Sequence, residues 1–256
     1  MLDFEKRPGA ALVAGGTGGI GRAVCRLLAE RGSQIFFTYR GNQEGAASLA
    51  TELSALGAKA EFARVDLANI EEASELAAGV RDAFGGIHTV VYAAGPHVPM
   101  THLSKVTPQQ FRAQLEGDAA AFFNLVHPTL PLLRESRGNI VAVTTAATRR
   151  FPVRDGLSSG PKGAVEAVIR ALAAEEGRFG LRANCVGPGM LTDGMAARLI
   201  GSGDLDDRAL EITRRNIPLR RFGDADDIAE AVAFLASDRA DFISGQTLDV
   251  DGGYGV

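Results

Sequence analysis

Cysteines and long apolar segments are both scarce in this sequence. The 256 residues include only two cysteines, Cys25 in a helix-like segment and Cys185 in a strand-like one. Because they lie far apart, we predict two buried thiols rather than a disulfide or a reactive site. No apolar run approaches the roughly 20 residues that span a bilayer, and the charged first residues lack the apolar core of a signal peptide. We therefore expect a cytoplasmic protein with no membrane partner.

An excess of positive charge and metal-ligand clusters are also lacking. The formal net charge is −4 at pH 7, which argues against nucleic acid as the main partner. The four histidines have no metal-ligand spacing, so we predict no metal site. With 46% hydrophobic and 23% charged residues, and no internal repeat or linker, the composition is typical of one α/β domain.

A glycine-rich turn near the start of the chain is its most informative feature. Residues 14–21 read Ala-Gly-Gly-Thr-Gly-Gly-Ile-Gly, between an apolar run at 10–13 and a segment at 22–30 with helical spacing. A strand, a tight glycine turn and a helix N-terminus can hold a pyrophosphate, because the backbone approaches it closely and free N–H groups face it. The same pattern occurs in ordinary strand-to-helix connections, so the turn alone leaves both interpretations open.

Apolar strands alternate with helical segments along the chain. This alternation predicts an α/β doubly wound (Rossmann) architecture, a parallel sheet of about seven strands with helices on both faces, in one domain over residues 1–256. A polar, glycine-interrupted segment at about 190–216 is predicted to be a helical lid over a substrate. The predicted strands are 10–13, 34–39, 60–65, 87–93, 138–145, 181–186 and 246–250, and the predicted helices are 22–30, 44–56, 70–84, 111–134, 164–179 and 226–236. Pro128 and Pro131 are expected to bend or end the helix 111–134.

The chain resembles the short-chain dehydrogenase/reductase family over essentially its whole length. The resemblance rests on the glycine turn, on Asp66, on Tyr92-Ala-Ala-Gly95, on Asn184-Cys-Val-Gly-Pro-Gly189 with Thr192, and on the segments 221–229 and 249–254. It implies a doubly wound fold, a nicotinamide cofactor and a homo-oligomer, either a tetramer or a dimer. The residues that it places against the cofactor are Gly15, Thr17, Gly18, Gly19, Ile20, Gly21, Tyr39, Arg40, Asp66, Leu67, Ala93, Ala94, Gly95, Lys162, Pro188, Gly189 and Thr192.

Four residues match the family's active centre, and two of them depart from its usual residue types. Lys162 matches the lysine of the family's Tyr-x-x-x-Lys pair, but Ser158 stands in the tyrosine position. Thr145, thirteen residues before Ser158, matches the family serine, and Asp118 matches an asparagine. Family members that reduce 2,4-dienoyl-CoA thioesters dispense with the same pair, and some have aspartate in the asparagine position. The chain thus shows some similarity to that branch.

The missing tyrosine favours one reduction chemistry over another. Ketone reduction needs a proton on oxygen, and a serine hydroxyl is a much weaker acid than a phenol whose pKa an ammonium lowers. Reduction of a carbon–carbon double bond conjugated to a thioester needs hydrogen-bond donors at the enolate oxygen, while the proton goes to carbon. We therefore predict an NADP(H)-dependent reductase of an enoyl or dienoyl thioester. A ketone or alcohol oxidoreductase and a non-catalytic, regulatory NADP(H)-binding protein are the alternatives.

Each matching residue receives a predicted role. Lys162 holds the nicotinamide ribose and supplies positive charge, and Thr145 and Ser158 donate hydrogen bonds to the substrate carbonyl. Asp118 orients a water or delivers the proton. Simpler interpretations are a solvated helix carboxylate for Asp118 and a helix-start residue ahead of Pro161 for Ser158. A helix start displaced by Pro161 would move Ser158 away from Lys162. Tyr92, at the end of a buried strand, is expected to be a core residue rather than a substitute acid.

The segment after the second strand favours NADP(H) over NAD(H). NAD-dependent enzymes usually place an acidic residue there on the ribose 2′-hydroxyl, but residues 38–42 read Thr-Tyr-Arg-Gly-Asn. The guanidinium of Arg40 can pair with a 2′-phosphate instead. The glycine turn offers no second basic residue, which argues against this preference.

An arginine-rich loop lies between the fifth strand and the segment of Lys162. Arg149, Arg150 and Arg154 fall within six residues. They can receive the phosphates of a CoA or carrier-protein arm, or they can form a solvated loop or a subunit contact. The predicted partner is a small-molecule substrate, and a CoA or carrier-protein thioester is the form that this loop would suit.

Overall fold

The structure is a computed structural model that describes residues 2–192 and 207–256. Seven strands in these residues form one sheet in which every paired strand is parallel to its neighbour. The strands are β1 (Ala10–Ala14), β2 (Gln34–Tyr39), β3 (Ala60–Arg64), β4 (Ile87–Tyr92), β5 (Asn139–Val143), β6 (Arg182–Pro188) and β7 (Thr247–Val250). The parallel sheet confirms the predicted fold class.

Helices connect these strands. In the described ranges they are α1 (Gly19–Glu30), α2 (Gln43–Ala55), α3 (Ile70–Phe84), α4 (Pro108–Leu115), α5 (Ala121–Ser136), α6 (Gly156–Glu176), α7 (Asp207–Asn216) and α8 (Ala225–Ala236). A π-helical turn, Glu116–Ala120, joins α4 to α5. Within 2–192 and 207–256, no helix combines the length and apolar character needed to cross a membrane.

Two apolar clusters hold the helices against opposite faces of the sheet. Residues such as Val24 and Val232 pack α1, α2 and α8 on one face. Residues such as Leu125 and Ile169 pack α3, α5 and α6 on the other. The central strands β1, β4 and β5 are buried along their whole length. Burial on both faces explains why their sequences are almost continuously apolar.

The strand order places the ends of β1 and β4 side by side. The order is β3-β2-β1-β4-β5-β6-β7, so the direction in which strands are added reverses between β1 and β4. Ala14, the last residue of β1, pairs with Tyr92, the last residue of β4. In sheets of this kind, ligands bind at the carboxyl edge where the order reverses. The fold therefore sets the position of a binding crevice before any side chain is considered.

The helix that carries Lys162 begins earlier than the sequence predicted. It starts at Gly156 rather than at residue 164, ends at Glu176, and contains Pro161. A proline has no N–H, but its φ fits a helix, so Pro161 removes one backbone hydrogen bond while the helix continues. Ser158 and Lys162 consequently remain one turn apart on the same helix face. A displacement of Ser158 by Pro161, which the sequence left open as an alternative, does not occur.

Two further expectations are corrected or fall outside the described residues. Pro128 and Pro131 do not end the long helix, because α5 runs through both to Ser136. Burial of its apolar face, including Leu125 and Leu133, offsets the lost backbone hydrogen bonds. Of the predicted lid at about 190–216, α7 is helical, whereas residues 193–206 lie outside the described part of the chain. Both cysteines are free and buried, as predicted.

Candidate active site

The residues that the resemblance places against a cofactor follow the carboxyl ends of neighbouring strands. The turn at 15–21 follows β1, and Arg40 follows β2 directly. Asp66 and Leu67 come just after β3, and residues 93–95 come just after β4. Thr145 lies two residues beyond β5, while Pro188 is the last residue of β6. Because the strands are parallel, the structure brings these residues to one edge of the sheet.

Close contacts explain the glycines of the turn. Gly15 has a φ of +83°, and a Cβ on it would lie 2.7 Å from the carbonyl oxygen of Ala93. A Cβ on Gly16 would lie 2.6 Å from the ring of Phe37, and one on Gly21 would lie 2.2 Å from the Gly15 carbonyl oxygen. The cap of α1, at residue 18, offers no side-chain acceptor to the first-turn N–H groups. This cradle fits the pyrophosphate of a dinucleotide, because the backbone is open to close approach and carries free donors.

A second arginine lies beside Arg40. Arg40 is exposed, and its carbonyl oxygen accepts a hydrogen bond of 3.1 Å from Nε of Arg64. The register of β2 and β3 pairs Tyr39 with Arg64, which brings the two arginines together. Sequence reasoning missed Arg64, although the strand pairing was the signal that would have found it. The ring of Tyr39 is buried in the core, and the exposed Asp66 uses Oδ1 to accept a 3.1 Å hydrogen bond from the N–H of Ala68.

Lys162 reaches the end of β4 from α6. Its Nζ donates to the carbonyl oxygen of Ala94 at 3.4 Å, and a Cβ on Gly95 would lie 3.6 Å from Nζ. Ala93 donates its N–H to the carbonyl oxygen of Ala14 at 3.0 Å. The lysine, the strand end and the glycine turn thus form one continuous wall. The wall fits a dinucleotide whose pyrophosphate lies on the turn and whose nicotinamide end lies near Lys162.

The opposite wall follows β6. Gly189 donates its N–H to the carbonyl oxygen of Val250 at 3.0 Å. Thr192 is exposed, and its N–H and hydroxyl both donate to the carbonyl oxygen of Gly223, at 2.9 and 3.3 Å. The segment 188–192 is therefore tied to the C-terminal part of the chain rather than to the first wall.

Lys162 and Asp118 form a buried ion pair. Nζ lies 2.9 Å from Oδ1, and the two side chains are 13% and 4% exposed. The hydroxyl of Tyr92 donates to the backbone carbonyl and to Oδ1 of Asp118, at 3.0 and 3.1 Å. Asp118 is thus not a solvated carboxylate. Burial, together with the neighbouring carboxylate, raises the pKa of Tyr92 above its usual range, so its phenol is a poor acid.

The π-helical turn directs the side chain of Asp118 into the site. Asp118 is the buried member of Glu116–Ala120. A π-helical turn adds a residue to the helix, which changes the direction of the side chains and frees backbone carbonyls from the regular ladder. The Asp118 carbonyl accepts hydrogen bonds from the hydroxyl of Tyr92 and from the N–H of Ala121. The fold therefore holds this carboxylate through both its side chain and its backbone.

A buried glutamate fixes the loop of Thr145. Glu166 accepts hydrogen bonds at Oε1 from the hydroxyls of Thr144 and Thr148, at 3.1 and 2.8 Å. Thr145 lies between these two residues and accepts a 3.2 Å hydrogen bond at Oγ1 from the N–H of Ala147. Because α6 carries both Lys162 and Glu166, the same helix positions the lysine and the Thr145 loop. Sequence reasoning had given Glu166 no role in the site.

Two polar side chains in the first turn of α6 have no partner in the described residues. Ser158 is half-buried, and its hydroxyl makes no hydrogen bond there. Asp155 is the N-terminal cap residue, yet its carboxyl group makes no capping hydrogen bond. Burial raises the pKa of Asp155 to about 6. Sequence reasoning missed Asp155, because aspartate before a helix is ordinarily a cap, although its three-residue spacing from Ser158 places both on one face.

The arginine-rich loop contacts the C-terminal segment. Nε of Arg149 lies 3.7 Å from a carboxylate oxygen of Asp249. Arg150 donates to the carbonyl oxygen of Tyr254 at 2.8 Å, and its guanidinium lies 4.5 Å from the centre of that ring. These two arginines therefore serve an intramolecular contact. Arg154 is exposed, with a φ of +75°.

The same loop and its neighbour after β4 carry exposed apolar side chains. Phe151 and Val153 are 69% and 72% exposed, and Leu103, from the loop after β4, is 56% exposed. Leu103 packs against α6, since a Cβ on Gly156 would lie 2.6 Å from its side chain. The mouth of the site thus presents an apolar surface beside its charged residues.

Comparison with known proteins identifies the family. Residues 14–255 match the family model described as "Enoyl-(Acyl carrier protein) reductase". A 3-oxoacyl-(acyl-carrier-protein) reductase of Staphylococcus epidermidis is 32% identical over 245 residues, covering 95% of this chain and 98% of that protein. An L-fucose dehydrogenase of Mus musculus is 34% identical over 244 residues, covering 94% and 86% of the two chains. The structure of a short chain dehydrogenase of Burkholderia cenocepacia J2315 in complex with NADP superposes with a TM-score of 0.88 at 28% identity, covering 98% and 100%. The chain therefore belongs to the short-chain dehydrogenase/reductase family of oxidoreductases.

Proposed function

We propose that this oxidoreductase uses NADP(H) to reduce an activated carbon–carbon double bond, conjugated to a thioester in an enoyl or dienoyl substrate. One observation carries the proposal: Ser158, and not a phenol, stands one helical turn before Lys162. All three tyrosines of the chain are engaged elsewhere. Tyr92 donates to Asp118, Tyr39 is buried in the core, and the ring of Tyr254 lies under the guanidinium of Arg150. A reaction that places the proton on carbon, rather than on a carbonyl oxygen, fits such a site best.

The residues of the site are proposed to act as follows. Lys162 binds the nicotinamide ribose and supplies positive charge at the oxyanion, while Asp118 holds the ammonium in place. The hydroxyls of Ser158 and Thr145 donate hydrogen bonds to the thioester oxygen as charge develops on it. When bound, the reduced nicotinamide supplies a hydride. Asp118 is also proposed to orient a water at the site, and Tyr92 is proposed only to position Asp118.

The preference for NADP(H) is proposed on the two neighbouring arginines. Arg40 and Arg64 stand at the carboxyl ends of β2 and β3, where the family's adenosine ribose lies. A 2′-phosphate would receive charge-assisted hydrogen bonds from such a pair, whereas a 2′-hydroxyl would leave two cations without a partner anion. The related structure in complex with NADP supports the same preference.

The substrate class is proposed on the mouth of the site and on one relative. The exposed Phe151 and Val153 suit an acyl chain, and Arg154 offers a charge for the phosphate of a CoA or carrier-protein arm. The relative from Staphylococcus epidermidis is named for an acyl-carrier-protein thioester. Both observations favour an acyl thioester over a small free substrate.

Reduction of a 3-oxoacyl thioester, or oxidation of an alcohol, is the second candidate. The names of the relatives favour it, since one is a 3-oxoacyl reductase and another an L-fucose dehydrogenase. It requires that Ser158, Asp118 or a water supply the proton that the missing tyrosine would give. The substrate panel below decides between the candidates.

The experiment follows NADPH oxidation against paired substrates. Conjugated enoyl- and dienoyl-CoA thioesters are compared with matched 3-oxoacyl thioesters, simple ketones and, with NADP⁺, alcohols. Turnover of the alkenes alone supports the proposal, and turnover of ketones or alcohols alone overturns it in favour of the second candidate. Tight NADPH binding without any turnover would instead indicate a non-catalytic, regulatory protein.

A cytoplasmic homo-oligomer, either a tetramer or a dimer, completes the proposal. Phe242, before the edge strand β7, is fully exposed, and Phe123 on α5 is 45% exposed. We propose that these two aromatic side chains lie in surfaces that another subunit covers. Light scattering coupled to size-exclusion chromatography would show a monomer if this part of the proposal is wrong.

A further inference from the structure

The carboxyl group of Asp155 is not used to stabilise α6. The backbone carbonyl of Asp155 accepts hydrogen bonds from the N–H groups of Ser158 and Ser159, at 2.9 and 3.0 Å. The hydroxyl of Ser159 donates to the same carbonyl at 3.2 Å. The carboxyl group itself makes no capping hydrogen bond, although aspartate at this position usually accepts one. It also forms no ion pair with any residue in the described ranges.

Two loops meet beside Asp155, at the residues on either side of it in the chain. The backbone carbonyl of its neighbour Arg154 accepts a 3.0 Å hydrogen bond from the N–H of Thr101, and its other neighbour, Gly156, packs against Leu103. None of the charged and titratable groups of these loops pairs with it in the described residues; they are Arg149, Arg150, Arg154, His97, His102 and Lys105. The carboxyl group is therefore desolvated without a compensating charge, which is why its pKa rises to about 6.

The first turns of α6 direct a row of polar side chains along the site. The spacing of three and four residues puts Asp155, Ser158 and Lys162 on one helix face. The contacts of Lys162 with Asp118 and with the Ala94 carbonyl show where this face points. Lys162 is at the inner end of the row, and the half-buried Asp155 is at its outer end.

We propose that Asp155 is the acid that supplies the proton for the reaction at this site. The inference rests on the proposed reduction of an enoyl thioester. The β-carbon of the substrate receives a hydride from the reduced nicotinamide, and the electron pair of the double bond moves onto the α-carbon and the thioester oxygen. The α-carbon takes the proton as the O–H bond of the Asp155 carboxyl group breaks. The carboxylate then regains a proton from solvent.

The buried groups beside Lys162 are less suited to this step. Tyr92 donates its hydroxyl hydrogen to Asp118, and its ring is fully buried. Asp118 already accepts hydrogen bonds at Oδ1 from Lys162 and Tyr92 and is 4% exposed. Neither has a direct route to solvent. Asp155 is half-buried, so it can be reprotonated between turnovers, and its pKa lies near the pH at which an acid works best.

The test compares three variants with the wild-type enzyme. Asp155→Asn removes the acid, Asp155→Glu keeps it, and Glu175→Gln is the matched control, since Glu175 is an exposed carboxylate on the same helix. The measurements are kcat and kcat/KM from about pH 5 to about pH 9 on the best substrate of the panel, in H₂O and D₂O. The NADPH dissociation constant and the melting temperature of each variant are measured alongside.

We expect wild-type kcat/KM to fall as the pH rises above about 6, because only the protonated carboxyl group can deliver a proton. Asp155→Asn should lower kcat by about 100-fold or more and lose this pH dependence. Its solvent isotope effect should be at least as large as that of the wild type, because slower protonation by water then limits the rate, and it should bind NADPH as the wild type does. Asp155→Glu should retain the pH dependence, and Glu175→Gln should match the wild type throughout.

The inference is overturned if Asp155→Asn keeps the wild-type kcat, or if the wild-type profile shows no ionisation between about pH 5 and about pH 7. It is also overturned if both Asp155 variants lose NADPH binding together with activity, since that is a structural effect. If Asp155→Asn does not fold, the wild-type profile and Asp155→Glu decide. If only ketones are turned over, the proposed function fails, but the same variants on the ketone still show whether Asp155 supplies the proton. Absence of all turnover overturns both.

Discussion

The ammonium of Lys162 lies 2.9 Å from a carboxylate oxygen of Asp118, and both side chains are largely withdrawn from solvent. The pair joins α6 to the π-helical turn before α5. Tyr92, at the end of β4, completes the arrangement by donating to Asp118. A lysine held in this way has a fixed position, which is what binding and polarising a ligand at the sheet edge require.

Breaking this pair should cost stability as well as activity. Lys162→Met leaves Asp118 buried without its cation, and we expect the free energy of unfolding to fall by about 3–5 kcal/mol, with turnover abolished. Asp118→Asn should also destabilise the protein. The double variant should lose less than the sum of the two, because neither charge is then left alone. Denaturant unfolding of the four proteins measures the coupling; strict additivity, or near-normal turnover of Lys162→Met, would contradict the assignment.

Removing the guanidinium of Arg40 should affect one cofactor more than the other. Arg40→Ala loses charge-assisted hydrogen bonds to a 2′-phosphate, so KM for NADPH should rise by about 10- to 100-fold while KM for NADH changes little. Arg64→Ala should raise KM for NADPH by a smaller factor. Nε of Arg64 already donates to the Arg40 carbonyl, so fewer of its N–H groups can reach a 2′-phosphate. Arg81→Ala, an exposed arginine on α3, is the control. Equal changes for both cofactors would show that Arg40 does not read the 2′-phosphate.

Placing a phenol at residue 158 should introduce ketone reduction. Ser158→Tyr puts a hydroxyl of much lower pKa one turn from the Lys162 ammonium, which favours its ionisation further. We expect kcat/KM for 3-oxoacyl thioesters to rise by about 100-fold, within the range of general acid catalysis. Ser158→Phe adds the same ring without the hydroxyl. If both variants change ketone reduction equally, then the ring and not the proton is responsible.

The ionised carboxylate of Asp155 should lower the free energy of unfolding at neutral and alkaline pH. Burial raises its pKa from 3.8 in the unfolded chain to about 6 in the folded one, so the folded state binds the proton more tightly. The resulting stabilisation is full below pH 3.8 and is lost as the pH rises through about 6. Since the group is partly exposed, Asp155→Asn should be about 1–2 kcal/mol more stable than the wild type at about pH 8. The two should be equally stable at about pH 4.

Unfolding at several pH values checks this prediction. If Asp155 served only to hold the helix, its replacement would lower the free energy of unfolding at every pH. Gains in stability on loss of a functional carboxyl group are instead typical of active sites. Glu175→Gln, on the same helix, should show no pH-dependent difference from the wild type.

Much of the fold was predictable, because it depends on local sequence. The seven strands and most helices follow from the period of apolar residues, and parallel pairing follows from their alternation. The glycine turn was predictable for the same reason, and the contacts of Gly15 and Gly21 explain it sterically. The start of α6 was not, because Pro161 signals a helix boundary locally and only the packing of the helix overrides it.

The sequence by itself determined the α/β architecture, the position of the crevice at the carboxyl edge, and the residue types that reach it. Only the tertiary structure decided which of those residues meet: Lys162 with Asp118, Arg40 with Arg64, and Arg150 with Tyr254. It also decided that Asp155 is desolvated without a partner. The physical reason is that periodicity and spacing act between near neighbours in the chain. Ion pairing, burial and pKa depend on groups that are distant in sequence and become neighbours only when the sheet is assembled.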